Sequence, residues 1–187
     1  MRLLRRLSSA VDRLNDRIGV AIRWLVLLMV LTGAGGAVIR YLSRGLGLSL
    51  NLVPAAEAQW YLFSAVFLLG AAYALRHGVH VRVDVVYERL GDRARAWIDL
   101  IGTTLFLIPF ALLMLWVSFP AVRSSWQIRE TSPDPGGLPR YPIKALILVS
   151  FALLLLQALS QMVKHVDVIR GVSGPVGPAA DEAEAHV

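Results

Sequence analysis

The run Ala96–Phe119, AWIDLIGTTLFLIPFALLMLWVSF, decides the fold: 24 residues whose one ionisable group, Asp99, lies near the start. A hydrocarbon layer about 30 Å thick is crossed by roughly 20 mostly apolar residues at ~1.5 Å of helix each. The run shows no alternation of polar and apolar residues and is far too long for a strand. Lipid supplies no partner for an open backbone group, so the reading is α-helix. Trp97 and Trp116 stand nineteen residues apart, a separation of about 28 Å along a helix. Indole rings prefer the headgroup level, so the pair brackets one membrane thickness. Pro109 lies inside the run and predicts a kink, while Pro120 and Pro142 read as helix edges.

Three further blocks have the same character. The expected spans are 20–41, 58–75, 96–119 and 143–163. Trp24 and Tyr41 bracket the first, and Trp60 with Tyr61 and then Tyr73 bracket the second. The fold expected is an all-α polytopic membrane protein with four transmembrane helices over 18–170. A basic segment, 1–17, precedes it and a flexible tail, 171–187, follows. The chain of 187 residues is 56% hydrophobic and 17% charged, against about 45–50% and about 25% in soluble domains. Those values argue against a water-soluble enzyme and against a disordered chain. The absence of cysteine excludes disulfides, thiolate metal sites and cysteine nucleophiles. A signal-peptide reading of the first block would require cleavage near residue 37, beyond the usual ~15–30, so a retained anchor is expected.

The formal charge of +6 is distributed unevenly. Thirteen Lys and Arg residues fall before the first span or at its start (Arg23), between the second and third, or after the fourth; six fall in the other two loops or at the span ends beside them (Arg40 and Lys144). The positive-inside rule therefore places both termini in the cytoplasm. The basic balance is a topology signal, and nucleic acid is not an expected partner.

Little in the spans carries chemistry. Their middles offer Thr32, Ser64, Thr103, Thr104, Ser150 and Gln157, read as hydrogen-bond partners between helices. Ionisable groups, the usual mark of an ion or substrate path, are expected to be missing there. His77, His80 and Asp84 do not supply the convergent set that a metal needs. Asp84 and Glu88 lie among Arg82, Arg89 and Arg93, which reads as an ion-pair network and not as acid–base catalysis. No GxxxxGK[ST] phosphate loop occurs. Neither catalysis nor a cofactor is expected. Gly33 with Ala37, and Gly70 with Ala74, have the small-xxx-small spacing that lets helices approach closely. Four helices of this kind suggest packing against something larger.

Two loops give the chain a family likeness. One is His80-Val-Arg-Val-Asp-Val-Val-Tyr87, after Leu68-Leu-Gly-Ala-Ala-Tyr73. The other is Glu130-Thr-Ser-Pro-Asp-Pro-Gly-Gly-Leu-Pro139, followed by Lys144 and Gln157. With the four spans they resemble the small membrane subunit of tripartite ATP-independent periplasmic (TRAP) transporters, over about 18–170. The resemblance implies a multi-pass protein of the cell inner membrane whose partners are a large membrane subunit, a periplasmic substrate-binding protein and the lipid bilayer. It further implies that sodium is the coupling ion, bound by the large subunit, and that the substrate is a carboxylate such as a 2-oxo acid. On this reading Arg82, Asp84 and Glu88 fix the cytoplasmic loop. Glu130, Ser132, Gly136, Gly137, Leu138 and Pro139, with Lys144, shape the outer face and a partner contact. Trp24, Trp60, Trp97 and Trp116 anchor the helices at the interfaces. The competing expectation is a membrane-embedded assembly or scaffold protein with no part in transport; a membrane enzyme is more remote.

Overall fold

Long apolar blocks leave the backbone no route but the helix, and the computed structural model, which describes residues 2–78 and 90–172, consists of helices and short connections. Helix α1 runs Arg2–Gly45 and α2 runs Val53–Arg76. Helix α3, Asp92–Gly102, passes through a π-helical turn, Thr103–Leu107, into α4, Ile108–Gln127. Helix α5 runs Tyr141–Ile169. Counting α3 to α4 as one rod, four helices are long and apolar enough to cross a membrane. Each expected span falls inside one of them.

The helices overrun the spans for identifiable reasons. From Arg2 the basic segment is helical and continuous with the first span, so α1 is 44 residues long, about 66 Å at ~1.5 Å per residue. Pro109 shows its effect as a π turn. The Ile108 N–H reaches back five residues to the Thr103 carbonyl, and the wider turn makes room for a proline that has no N–H of its own. Pro120, expected at a helix edge, lies inside α4. It removes a single hydrogen bond, and the seven residues after it, Ala121–Gln127, contain neither glycine nor proline, so the helix resumes. Thr32, Ser64 and Thr104 also depart from expectation. They bond the carbonyls four residues earlier in their own helices, at 2.7, 2.8 and 2.7 Å, and not a neighbouring helix.

The chain forms two compact units. The first comprises Met1–Arg17, Ala71–Leu115 and Phe151–Val187; the second comprises Ile18–Gly70 and Trp116–Ser150. In the first, the buried apolar side chains are small: Ala72, Ala96, Ala111 and Ala158, with Leu154 and Val168. Small side chains bring helix backbones within dispersion distance. The ring of Phe110 meets that of Phe151 edge-on at 5.9 Å. In the second unit Val122 is buried and Ser150 of α5 donates to the Leu68 carbonyl of α2 at 2.6 Å.

Among the described residues the interior is more polar than apolar. Buried Ser8, Asn15, Glu57, Ser125, Gln157, Ser160, Gln161, His165 and Asp167 contrast with exposed Trp24, Leu31, Phe67, Leu105, Phe106 and Trp116. Water would drive these the other way. Hydrocarbon outside, with polar groups turned in to find partners, accounts for the inversion.

Candidate functional site

The connection Ile128–Arg140 in the second unit contains six of the residues that sequence singled out, and the structure organises them around one that it did not. That residue is Glu57 of α2, 4% exposed. Its carboxylate accepts the Ser132 hydroxyl and, at 2.5 Å, the Leu138 N–H. Ser132 N–H donates to the Leu138 carbonyl at 3.1 Å and Arg140 N–H to the Glu130 carbonyl at 2.8 Å, around a bridge between Thr131 and Pro139. The connection is therefore a small hairpin with a carboxylate in its mouth.

The tip of this hairpin depends on its two glycines. Gly136 has φ +77°, the left-handed region that costs a side chain energy. Gly137 leaves space for the carboxylate: a Cβ there would stand 2.9 Å from Glu57 Oε2 and 2.7 Å from Ser132 Oγ. The Gly137 N–H closes a turn on the Asp134 carbonyl at 2.9 Å. Asn51 holds the tip from outside by donating to the Pro135 carbonyl at 2.8 Å, while its Oδ1 receives the Val53 N–H at 3.0 Å where α2 begins. Tyr61 donates to the Leu138 carbonyl at 3.3 Å.

Glu130 and Lys144, both named from sequence, form an ion pair from the hairpin to the first turn of α5. Beside it the rings of Trp126 and Tyr141 meet edge-on at 4.8 Å. The Lys144 ammonium donates to the Glu130 carboxylate and holds it below the usual carboxylate range, and the positive charges of Lys144 and Arg140 act in the same direction. A lowered folded-state value means the contribution is complete above the ordinary carboxylate pKa of about 4.3 and is lost as pH falls through the lower value. Trp126 fluorescence is accordingly expected to hold steady from neutral pH to about 5 and to change only below the ordinary range. Lys144→Gln, which removes the largest of the stabilising contacts, should move that transition up toward the ordinary carboxylate range, and a variant keeping the wild-type profile would contradict the assignment.

A second polar cluster, in the first unit, was missed by reading 1–17 as a separate basic segment. Asp12 of α1 accepts Gln157 Nε2 at 3.1 Å and Ser160 Oγ at 3.2 Å, and pairs with Lys164 Nζ at 2.7 Å. Asn15 Nδ2 donates to Gln157 Oε1 at 2.6 Å; both side chains are fully buried. Ser8 and Ser160 hydroxyls bond at 2.6 Å, and Arg5 pairs with Asp167 at 2.7 Å. Arg76 bonds the Asp12 carbonyl and pairs with Asp16, while Gln161 Nε2 reaches the Arg76 carbonyl at 3.3 Å. The signal was present as two matched stripes. Residues 5, 8, 12 and 15 lie on one face of α1, and 157, 160, 161, 164 and 167 on one face of α5. Gln157 bonds a neighbouring helix as expected, the ionisable members Arg5, Asp12, Lys164 and Asp167 lie outside the expected spans 20–41 and 143–163, and every contact in the cluster ties one helix to another.

The remaining residues are placed as follows. Gly33 meets α2 closely, since a Cβ on it would stand 2.6 Å from Gln59 Nε2. Ala37 is exposed and lines a groove with Gly36, Arg40 and Ala56. Gly70 has only ordinary clearance, with Ile22 Cδ1 at 4.0 Å from the position of a Cβ, and Ala74 is half-buried. Pro139 closes the bridge to Thr131. Trp24, Trp60, Trp97 and Trp116 are 65%, 42%, 51% and 76% exposed, directed away from protein. Arg82, Asp84 and Glu88, with His80, lie outside the described residues, as does the tail beyond 172. Among the described residues no group of three or more His, Asp or Glu side chains could hold a metal ion.

Two units assembled from four long helices, one hairpin closed on a buried carboxylate and an inverted interior describe a polytopic membrane component. The family model described as "Tripartite ATP-independent periplasmic transporters, DctQ component" matches residues 29–168, three-quarters of the chain, and takes in the hairpin, the second half of the first expected span and nearly all of the other three long helices. No curated protein and no solved structure matches the chain. The chain therefore belongs to the DctQ component family of tripartite ATP-independent periplasmic transporters, as a small, multi-pass membrane permease subunit.

Proposed function

We propose that this chain braces the large membrane subunit of a TRAP transporter during sodium-coupled uptake of a carboxylate, a 2-oxo acid or similar organic acid, delivered by a periplasmic binding protein. It acts from the cell inner membrane with both termini in the cytoplasm, which puts the Ile128–Arg140 hairpin on the periplasmic side. The coupling ion and the substrate are held by the large subunit. The observation that carries this reading is the direction of the polar side chains. Asp12, Asn15, Ser150, Gln157, Ser160 and Lys164 bond neighbouring helices of the same chain, while large apolar side chains cover the outside. A subunit of that kind contributes rigid surface.

The test is purification from native membranes in mild detergent followed by reconstitution. A larger hydrophobic subunit is expected to accompany the chain. Liposomes holding both are expected to accumulate a labelled organic acid on a sodium gradient when the binding protein is supplied, and liposomes holding this chain alone are expected to accumulate none. Uptake by the lone chain, or a monodisperse lone chain from native membranes, would overturn the reading in favour of a self-sufficient carrier or a scaffold protein outside transport.

A further inference from the structure

A groove of about 320 Å³ in the second unit is lined by Trp60, Ser64 and Leu68 of α2, by Arg140, and by Ile143, Lys144 and Ile147 of α5. Two contacts give it direction. Tyr61 reaches the Leu138 carbonyl at one end, and Ser150 reaches the Leu68 carbonyl at the other. Arg140, Lys144 and Trp60 therefore stand at the hairpin end, and Leu68 and Ile147 at the far end. The groove has two basic side chains at its mouth and an aliphatic wall along its length.

The cations there have capacity to spare. Arg140 Nη2 donates to Ser132 Oγ at a long 3.4 Å, a weak contact that leaves its terminal N–H groups able to turn to a stronger acceptor. Phosphate oxygens match the guanidinium fork. Lys144 has three ammonium donors, pairs with Glu130, and is 36% exposed. Trp60, also exposed, presents an amphipathic ring suited to the headgroup level. The carboxylates of Glu57 and Glu130 lie close by and leave the mouth near electrical neutrality. Selection then falls on phosphodiester geometry, with overall lipid charge secondary. A small soluble anion would leave the aliphatic wall unused, and a plain hydrocarbon would leave Arg140 unmatched.

We propose that this groove holds one glycerophospholipid, its phosphodiester on Arg140 and Lys144 and one acyl chain along Leu68, Ile143 and Ile147. The site stands apart from the transport reading, since it needs only that α2 and α5 meet lipid.

Native mass spectrometry of the full chain, purified in mild detergent and incubated with phosphatidylglycerol or with diacylglycerol of the same acyl chains, tests it. Phosphatidylglycerol is expected to remain bound as a single adduct at collision energies that strip diacylglycerol. The double variant R140Q/K144Q is expected to lower its retention about tenfold, the loss of one charge-assisted contact set. Because that variant also disturbs the hairpin, Ser64→Phe, which fills the groove and spares both cations, serves as the second probe and should lose the adduct as well. Equal retention of the two lipids, wild-type retention by Ser64→Phe, or displacement by millimolar inorganic phosphate would each overturn the proposal. The last result would mark a free-anion site.

Discussion

Replacing Gly137 by alanine is expected to lower the thermal stability of the detergent-solubilised chain by about 1–3 kcal/mol, the usual cost of overfilling a packed site. The added methyl would lie 2.7 Å from Ser132 Oγ and 2.9 Å from Glu57 Oε2. Neither can retreat cheaply. Ser132 is fixed by its N–H on the Leu138 carbonyl at 3.1 Å, and Glu57 Oε2 by the Leu138 N–H at 2.5 Å. The hairpin must open, and one of its shielded polar groups loses its partner. Gly136→Ala should cost less. It forces an alanine into φ +77°, but the atom it approaches is Asn51 Nδ2, the end of a movable side chain. Gly35→Ala, inside α1 with nothing within 4 Å of the added methyl, is the control and should leave the melt unchanged or raise it slightly. Thermal unfolding followed by tryptophan fluorescence reads all three, and a Gly137→Ala melt matching wild type would show that Gly137 does not hold the hairpin closed on Glu57.

The second large effect concerns the pair Asn15 and Gln157. Changing Gln157 to leucine removes the acceptor of Asn15 Nδ2 and a donor to Asp12. A fully buried amide left without a partner costs about 1–3 kcal/mol. Asn15→Leu strands the Gln157 carbonyl oxygen in the same way. The double variant N15L/Q157L strands neither of these two groups, so it is expected to be more stable than the sum of the two singles implies, with a coupling of at least about 0.5 kcal/mol. Strict additivity would mean that the two amides do not act as a pair. The same measurement would report on the join between the first helical turns of α1 and the end of α5, where Asp12 pairs with Lys164 at 2.7 Å.

Sequence and structure divide along physical lines. Helix number and approximate place were legible because lipid penalises an unpaired peptide group so heavily that a 20-residue apolar run has one conformation open to it. The hairpin was legible as a turn region, since Pro133, Pro135, Gly136, Gly137 and Pro139 exclude helix and Gly136 accepts a positive φ. The family likeness rested on the same residues, and the match over 29–168 establishes it. Glu57 was not legible as the hairpin's centre. Its partners lie 75 and 81 residues away, and no local rule connects them. Asp12 and Asn15 were obscured by the arginines around them, which made 1–17 resemble a solvated leader. Their role appears only when α5 presents Gln157 and Lys164 opposite.

By itself, then, the chain's order of residues determined that there would be four long lipid-compatible helices, a turn at 133–139 and an excess of arginine on one set of loops, because each follows from forces acting over one helix length or less. Only the tertiary structure decided which carboxylate closes the hairpin, which amides pair across helices and where two cations meet an aliphatic wall. Those contacts join residues far apart in the chain, and polar side chains surrounded by apolar ones take whichever partner the packing of helices brings within about 3 Å.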